Sequence, residues 1–198
     1  VDENYALSRT ASGNHLLLGG DNIDIAIAKN IEKHWNTSLP YGEWLILCQK
    51  TRHAKELLLS NNEDEIEIVL LPQGSSIIGK IRTYTLKKGE LNTLLLDSFF
   101  VDISETSPAP LKKNSTQVMG LPYEVDPAIC KHLLYFLKTA FSVTTKLRTE
   151  DNKEEQLLFP DRILFNGGSM IPQMLRERVI ANIKNWFGNQ NIEELKSE

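Results

Sequence analysis

Apolar residues recur three and four positions apart in several stretches of this chain and alternate with polar ones in shorter runs, which predicts a mixed helix and strand fold. The first helix follows Gly19-Gly20, with Asp21 or Asn22 as its cap and Ile23, Ala26, Ile27, Ile31 and Trp35 as its apolar stripe. Asp24 falls in its first turn, where a carboxylate has a structural role against the helix dipole or a free amide. After the turn Leu39-Pro40-Tyr41-Gly42, a second helix runs from about Glu43 to Ser60, with Trp44, Leu47, Cys48, Thr51, Ala54 and Leu58 facing inward. Arg52, Lys55, Glu56 and Leu59 form an adjoining strip of the kind that is usually solvated, and Arg52 and Glu56 have the spacing of an i, i+4 ion pair. Glu65 to Leu70 and Ile77 to Thr85 alternate and predict two antiparallel strands joined through Gly74-Ser75-Ser76, after which Thr85 to Phe100 reads as a helix with Leu91, Leu94, Leu95 and Phe99 inward.

Asp102 to Pro122 carries Ser107-Pro108-Ala109-Pro110 and no sustained period, so it is predicted to be a long, partly extended connection. Asp126-Pro127 opens another helix, with Ile129, Leu133, Leu137, Ala140 and Phe141 as its stripe. The polar stretch Thr144 to Gln156 reads as a solvated, disordered loop. The most informative stretch is Asp161 to Phe187: an apolar strand Ile163-Leu164-Phe165, the turn Asn166-Gly167-Gly168-Ser169, and a helix opened by Pro172 with Leu175, Val179, Ile183 and Trp186 on its inner face. Gly188 is placed to end that helix in the left-handed conformation, and Asn189 to Glu198 reads as a polar tail. At the other end, Tyr5-Ala6-Leu7-Ser8 reads as a strand without a partner, which implies a piece of a longer polypeptide.

Composition narrows the function. With 198 residues, of which 41% are hydrophobic and 24% charged, the chain can bury a real core as one large domain or two small lobes. A net charge of −4 without clustered Lys and Arg argues against nucleic acid and anionic membrane as partners. The first residues do not resemble a signal peptide and no apolar run approaches membrane-spanning length, which predicts a cytoplasmic protein. Cys48 and Cys130 are far apart and sit in helix-patterned surroundings, as buried thiols do, and His15, His34, His53 and His132 are scattered, so no metal site is predicted. A strand that delivers Gly167-Gly168-Ser169 toward a helix gathers unpaired N–H groups at one point and favours an anion such as phosphate; the alternative reading is a tight reversal and nothing more.

Four segments together resemble the nucleotide-binding domain of the DnaK-type heat-shock chaperones, members of the actin-like ATPase superfamily. Leu18-Gly19-Gly20-Asp21-Asn22-Ile23-Asp24 is similar to the family's L-G-G-x-x-x-D, and Arg52-His53-Ala54-Lys55-Glu56-Leu57-Leu58-Leu59-Ser60 to its A-K helix. The hairpin with its following helix is the third segment, and Ile163 to Ser169 is similar to the family's strand and G-G-S loop. The likeness is greater still to a divergent bacterial branch of large chaperone-like proteins, in which phrases such as Leu-Leu-Leu-Gly-Gly-Asp-Asn, Gly-Leu-Pro-Tyr and Phe-Asn-Gly-Gly recur, and it extends over Leu7 to Gly188.

The resemblance implies an α/β fold, the second lobe of an actin-like ATPase domain. A small α+β subdomain over residues 21–156, with long loops at 102–122 and 144–156, would be inserted in a partial ribonuclease-H-like subdomain formed by 1–20 and 157–198. It implies an adenosine-side nucleotide site made by Lys55, Gly167, Gly168 and Ser169, with Arg52 and Glu56 at the matching helix positions. ATP or ADP with magnesium would bind in the intact parent domain. The partners implied are the parent's first lobe and substrate-binding region, and a nucleotide-exchange factor on the small subdomain. The phosphate loops and catalytic carboxylates of the family find no match in this sequence, so no catalytic residue is assigned and the chain alone is not expected to hydrolyse ATP. Two departures favour an alternative, a degenerate non-catalytic lobe acting as a protein-interaction module. Arg52 and Glu56 have the family's charges swapped, and Met170-Ile171-Pro172 lacks the arginine of the family's T-R-I-P, a cation-stacking loss of about 1–2 kcal/mol.

Overall fold

The computed structural model describes residues 9, 11–60, 63–72, 81–111, 116–118, 121–149, 160–188 and 191–196, with side chains throughout except at 116–118, 121–122 and 141–149. Tyr5 to Ser8 and Gly74 to Ser76 lie outside these residues. Among the described residues the fold is mixed α/β, with five α-helices and three two-stranded sheets. None of these helices is long and apolar enough to cross a membrane.

Helix α1 (Gly20–His34) starts ahead of the Asp21 or Asn22 cap expected from the sequence. The reason is that Asn22 folds back from inside the first turn, its Oδ1 accepting the Gly19 N–H at 2.8 Å, so a residue within the helix closes its end. Ile23, Ile27 and Ile31 are buried as the stripe predicts, and Trp35 leaves the helix with its indole N–H donating to Thr83 O at 3.0 Å. Helix α2 (Tyr41–Leu59) packs beside α1 through Leu47, Cys48, Ala54 and Leu58. Buried Thr51 joins the two backbones, its hydroxyl lying 3.1 Å from Asp24 O and 2.9 Å from Cys48 O.

Strands β1 (Glu65–Leu70) and β2 (Arg82–Lys87) pair antiparallel with Ile68 opposite Tyr84 and Ile66 opposite Leu86, which places Ile68, Leu70 and Leu86 on the core side. The second strand therefore continues past Thr85, where the sequence suggested a helix, because the Ile66–Leu86 pair extends the ladder; α3 (Lys88–Leu94) begins only afterwards. It runs into a wide π turn, Leu95–Phe99, closed by the Phe100 N–H on Leu95 O at 2.8 Å. The extra residue in that turn lets the adjacent Phe99 and Phe100 both enter the core.

The connection after Phe100 is irregular over 101–111, but its far end, read from the sequence as loop, carries a hairpin of β3 (Thr116–Val118) and β4 (Leu121–Tyr123). Strands of three residues are too short to leave an alternating signature. Helix α4 (Ile129–Thr149) starts later than Asp126-Pro127 suggests, since Asp126 spends Oδ1 on the Ala128 N–H at 3.2 Å in a turn before the helix and Oδ2 on Lys131 Nζ at 2.7 Å. Among its described side chains the most buried are Cys130 and Leu134, one position round from the predicted stripe, with Ile129, Leu133 and Leu137 packed at the margin. At its other end the helix runs to Thr149, into the 144–156 segment assigned by composition to a loop, because extending a formed helix costs far less than nucleating one.

The last unit is β5 (Arg162–Leu164), a 3₁₀ turn at Gly168–Met170, α5 (Gln173–Phe187) and β6 (Glu193–Leu195). Pro172 is the last extended residue before α5 rather than its first helical one, and Gly188 ends it at φ 68°, the left-handed cap expected. The predicted polar tail thus contains a strand: β6 pairs parallel with β5, Ile163 beside Glu194 and Leu164 beside Leu195, completing a strand–helix–strand unit. Leu164 and Leu195 share its exposed face.

Buried residues of α1 to α5 and of β1, β2 and β4 form one hydrophobic cluster. The irregular connection is tied to it by α5: fully buried Asn182 accepts the Ile103 N–H at 2.9 Å and donates to Val101 O at 3.2 Å, and Trp186 Nε1 donates to Ile103 O at 2.6 Å. Replacing Asn182 with Ala strands both backbone groups in the interior, so Asn182→Ala should cost about 1–3 kcal/mol in urea unfolding. An effect within about 0.5 kcal/mol, ordinary for a surface site, would contradict the tether.

Candidate functional site

Two of the predicted segments meet at Gly20. A methyl group placed there would lie 3.3 Å from Lys55 Nζ and 3.5 Å from Ser169 Oγ, so the start of α1, the C-terminal part of α2 and the glycine loop converge around the missing side chain. Gly20 is inside a helix, where any residue has the conformational freedom it needs; what glycine provides is room for the close approach.

Lys55 is not on a solvated strip. Its side chain is 10% exposed and that of Asp24 6%, and Nζ lies 2.6 Å from Asp24 Oδ1. The ammonium also donates to Gly20 O at 3.1 Å, so one buried cation serves a carboxylate and a backbone carbonyl of α1. Asp24, read as a helix-end residue, is therefore the counter-ion of Lys55. Burial pushes its carboxyl above the ordinary value of 3.8, against the lowering effect of Lys55 and, more weakly, Arg52. Arg52 and Glu56, by contrast, are each 61% exposed and pair with one another at 3.4 Å as predicted, with Asp21 3.8 Å from the Arg52 guanidinium.

The loop itself is built by backbone constraint. Gly167 sits at φ 93° and ψ 153°, a conformation that strains any residue with a Cβ. Asn166 Oδ1 accepts the Gly167 N–H at 2.7 Å, and the Met170 N–H closes the 3₁₀ turn on Gly167 O at 3.0 Å. Ser169 points toward Gly20 and Lys55, whereas Gly167, Gly168, Ile171 and Arg176 line a cleft of about 590 Å³ that Lys55 and Ser169 do not reach. The predicted set is thus divided: Lys55 and Ser169 come together, Gly167 and Gly168 border a cleft, and Arg52 and Glu56 face solvent.

The sequence marks Gly20 and Asp24 within the L-G-G-x-x-x-D segment and gives Asp24 a structural role at the helix start, but not its pairing with Lys55, and Arg176 carries no sequence signal. The thiols of Cys48 and Cys130 are unpaired and buried, and burial pushes them up to about 11 and about 12, which leaves them unreactive at neutral pH. Compared with known proteins, the chain matches no family model, no curated protein and no solved structure.

Removing one member of the Asp24–Lys55 pair isolates a charge in the interior, so Lys55→Ala should destabilise the fold by about 3–5 kcal/mol, and Lys55→Met with Asp24→Asn should recover much of that. A loss below about 1 kcal/mol, typical of surface pairs, would show that the two are not buried together. The pH dependence has a definite sign. A folded carboxyl value above 3.8 means that protonated Asp24 favours folding, a contribution fully present below 3.8 and lost as the pH rises through the folded value. The stability of Asp24→Asn relative to the unaltered protein should therefore grow as the pH rises through that window; a constant difference would contradict the raised value.

Proposed function

We propose that this chain is the adenosine-side nucleotide-binding lobe of a DnaK-like molecular chaperone ATPase, with the α/β fold of the second lobe of an actin-like ATPase domain. The observation that carries the reading is the meeting of Lys55 and Ser169 across Gly20, since two segments that resemble the family's nucleotide-contacting motifs are remote in sequence and adjacent in space. The order of helix, helix, antiparallel pair and strand–turn–helix supports it.

The residues present fit the sugar side of a nucleotide better than its phosphates. A hydroxyl and an ammonium that flank Gly20 offer a sugar one group that donates or accepts and one that only donates. A side chain at Gly168 would meet nothing within 4 Å, which leaves open room at the loop for a ligand. Among the described residues no cluster of acidic or imidazole groups could hold a metal ion, so magnesium and the phosphates fall to the parent's first lobe. Bound ATP would supply the transferable phosphoryl group there, while this lobe orients the nucleoside. In the same reading the protein is cytoplasmic, and the small subdomain is the surface on which an exchange factor docks.

One observation favours the second reading, a non-catalytic lobe that acts as an interaction module. The Lys55 ammonium is already held by Gly20 O and Asp24, and the outward charges of Arg52 and Glu56 are spent on each other. The two readings separate in an NMR titration with ADP and magnesium. The nucleotide lobe predicts shifts confined to the amides of Arg52 to Glu56 and Gly167 to Ser169. Gly168→Leu, which has space to fold, should then weaken ADP about tenfold or more, about 1.4 kcal/mol, without lowering the melting temperature. Undiminished binding in that variant would refute the loop assignment, and a parent protein that neither binds nor hydrolyses ATP would favour the interaction module.

A further inference from the structure

The loop that carries Ser169 is weakly held from within. Its internal hydrogen bonds are Met170 N–H to Gly167 O at 3.0 Å and Ile171 N–H to Gly168 O at 3.3 Å, and it begins at left-handed Gly167. From outside it is gripped, among the described residues, by the Arg176 side chain. Arg176, on the first turns of α5, donates through Nη1 to Met170 O at 2.9 Å and to Ile171 O, while its Nε lies 2.5 Å from Glu194 Oε1 on β6. A guanidinium does this because its donors are fixed in one plane and can address two carbonyls and a carboxylate together. The two side chains are 23% and 35% exposed, whereas the neighbouring Arg162–Glu193 pair is 69% and 62% exposed and therefore contributes little.

We propose that Arg176 and Glu194 form a latch through which strand β6 sets the position of the Gly167–Ile171 loop, and thereby of Ser169 against Gly20 and Lys55. Arg176 is a positioning residue, acting through the loop carbonyls. Strand β6 is three exposed residues long, the kind of element that opens locally at low cost, so displacing it removes Glu194, frees Arg176 and lets the loop carbonyls turn. The consequence for nucleotide rests on the function proposed above; the latch itself does not.

The test is made on the full chain with Glu194→Ala and Glu194→Gln, the second keeping an oxygen that accepts from Arg176. In Glu194→Ala, amide exchange at Met170 and Ile171 should rise about tenfold or more and the Ser169 and Gly20 amide resonances should shift, while Leu175, Val179 and Ile183 keep their protection. Glu194→Gln should restore part of each change. Unmoved Ser169 and Gly20 resonances in Glu194→Ala would overturn the proposal. With ADP and magnesium, Glu194→Ala should bind about tenfold more weakly, about 1.4 kcal/mol. Equal binding by the variant and the unaltered chain would overturn the positioning role and leave the nucleotide reading intact. If the unaltered chain binds no ADP, the lobe needs the parent's first lobe or has given up the nucleotide, and the resonances of the ligand-free protein still decide the latch.

Discussion

The buried pairing of Lys55 with Asp24 constrains everything around it. Neither charge tolerates the interior alone, so α1 and α2 are held in the one relative position that brings an ammonium on the second helix to a carboxylate in the first turn of the first. Apolar packing between the same helices, isoleucines against leucines, would accept small slides and rotations. The ion pair does not, and it is reinforced by Thr51 Oγ1 on Asp24 O and by the Lys55 ammonium on Gly20 O. With that geometry set, a side chain at Gly20 would press on the Lys55 ammonium at 3.3 Å and touch the Ser169 hydroxyl at 3.5 Å, so glycine leaves the most room where the three segments meet.

Helix α5 does for the second half of the chain what this pair does for the first. Its inner face, Leu175, Val179, Ile183 and Trp186, joins the common core, while its polar residues grip segments that have no regular structure of their own. Asn182 and Trp186 hold the connection at Val101 and Ile103, and Arg176 holds the loop at Met170 and Ile171. Both are side chain to backbone bonds, the usual way in which irregular chain has its polar groups satisfied near a core. A single helix thereby fixes both the longest connection described and the loop that approaches Lys55.

The elements with strong periodicity were legible before any coordinates. The isoleucine stripe of α1, the inner face of α2, the antiparallel pairing of β1 with β2 and the left-handed end of α5 at Gly188 all follow from spacing and turn chemistry. What escaped was short or lay against composition. The strands β3, β4 and β6 have three residues each, and Glu193-Glu194-Leu195 has no alternation to read. The end of α4 looks like a solvated loop because its residues are polar, although a helix already under way carries them.

The candidate site divides along the same line. The sequence by itself singled out Gly167-Gly168-Ser169 by local pattern as a turn between strand and helix, and Lys55 by a family resemblance alone, since its local pattern is that of a solvated strip. It also determined that Arg52 and Glu56 pair with one another, because i, i+4 neighbours on a helix meet whatever the rest of the fold does. Only the tertiary structure decided that Lys55 is buried on Asp24, that Ser169 reaches it across Gly20, and that Arg176 reaches back to a loop and forward to β6. The reason is physical: hydrogen-bond spacing and helical faces are local and written in neighbouring residues, whereas the burial of a charge and the meeting of remote segments depend on how whole elements pack.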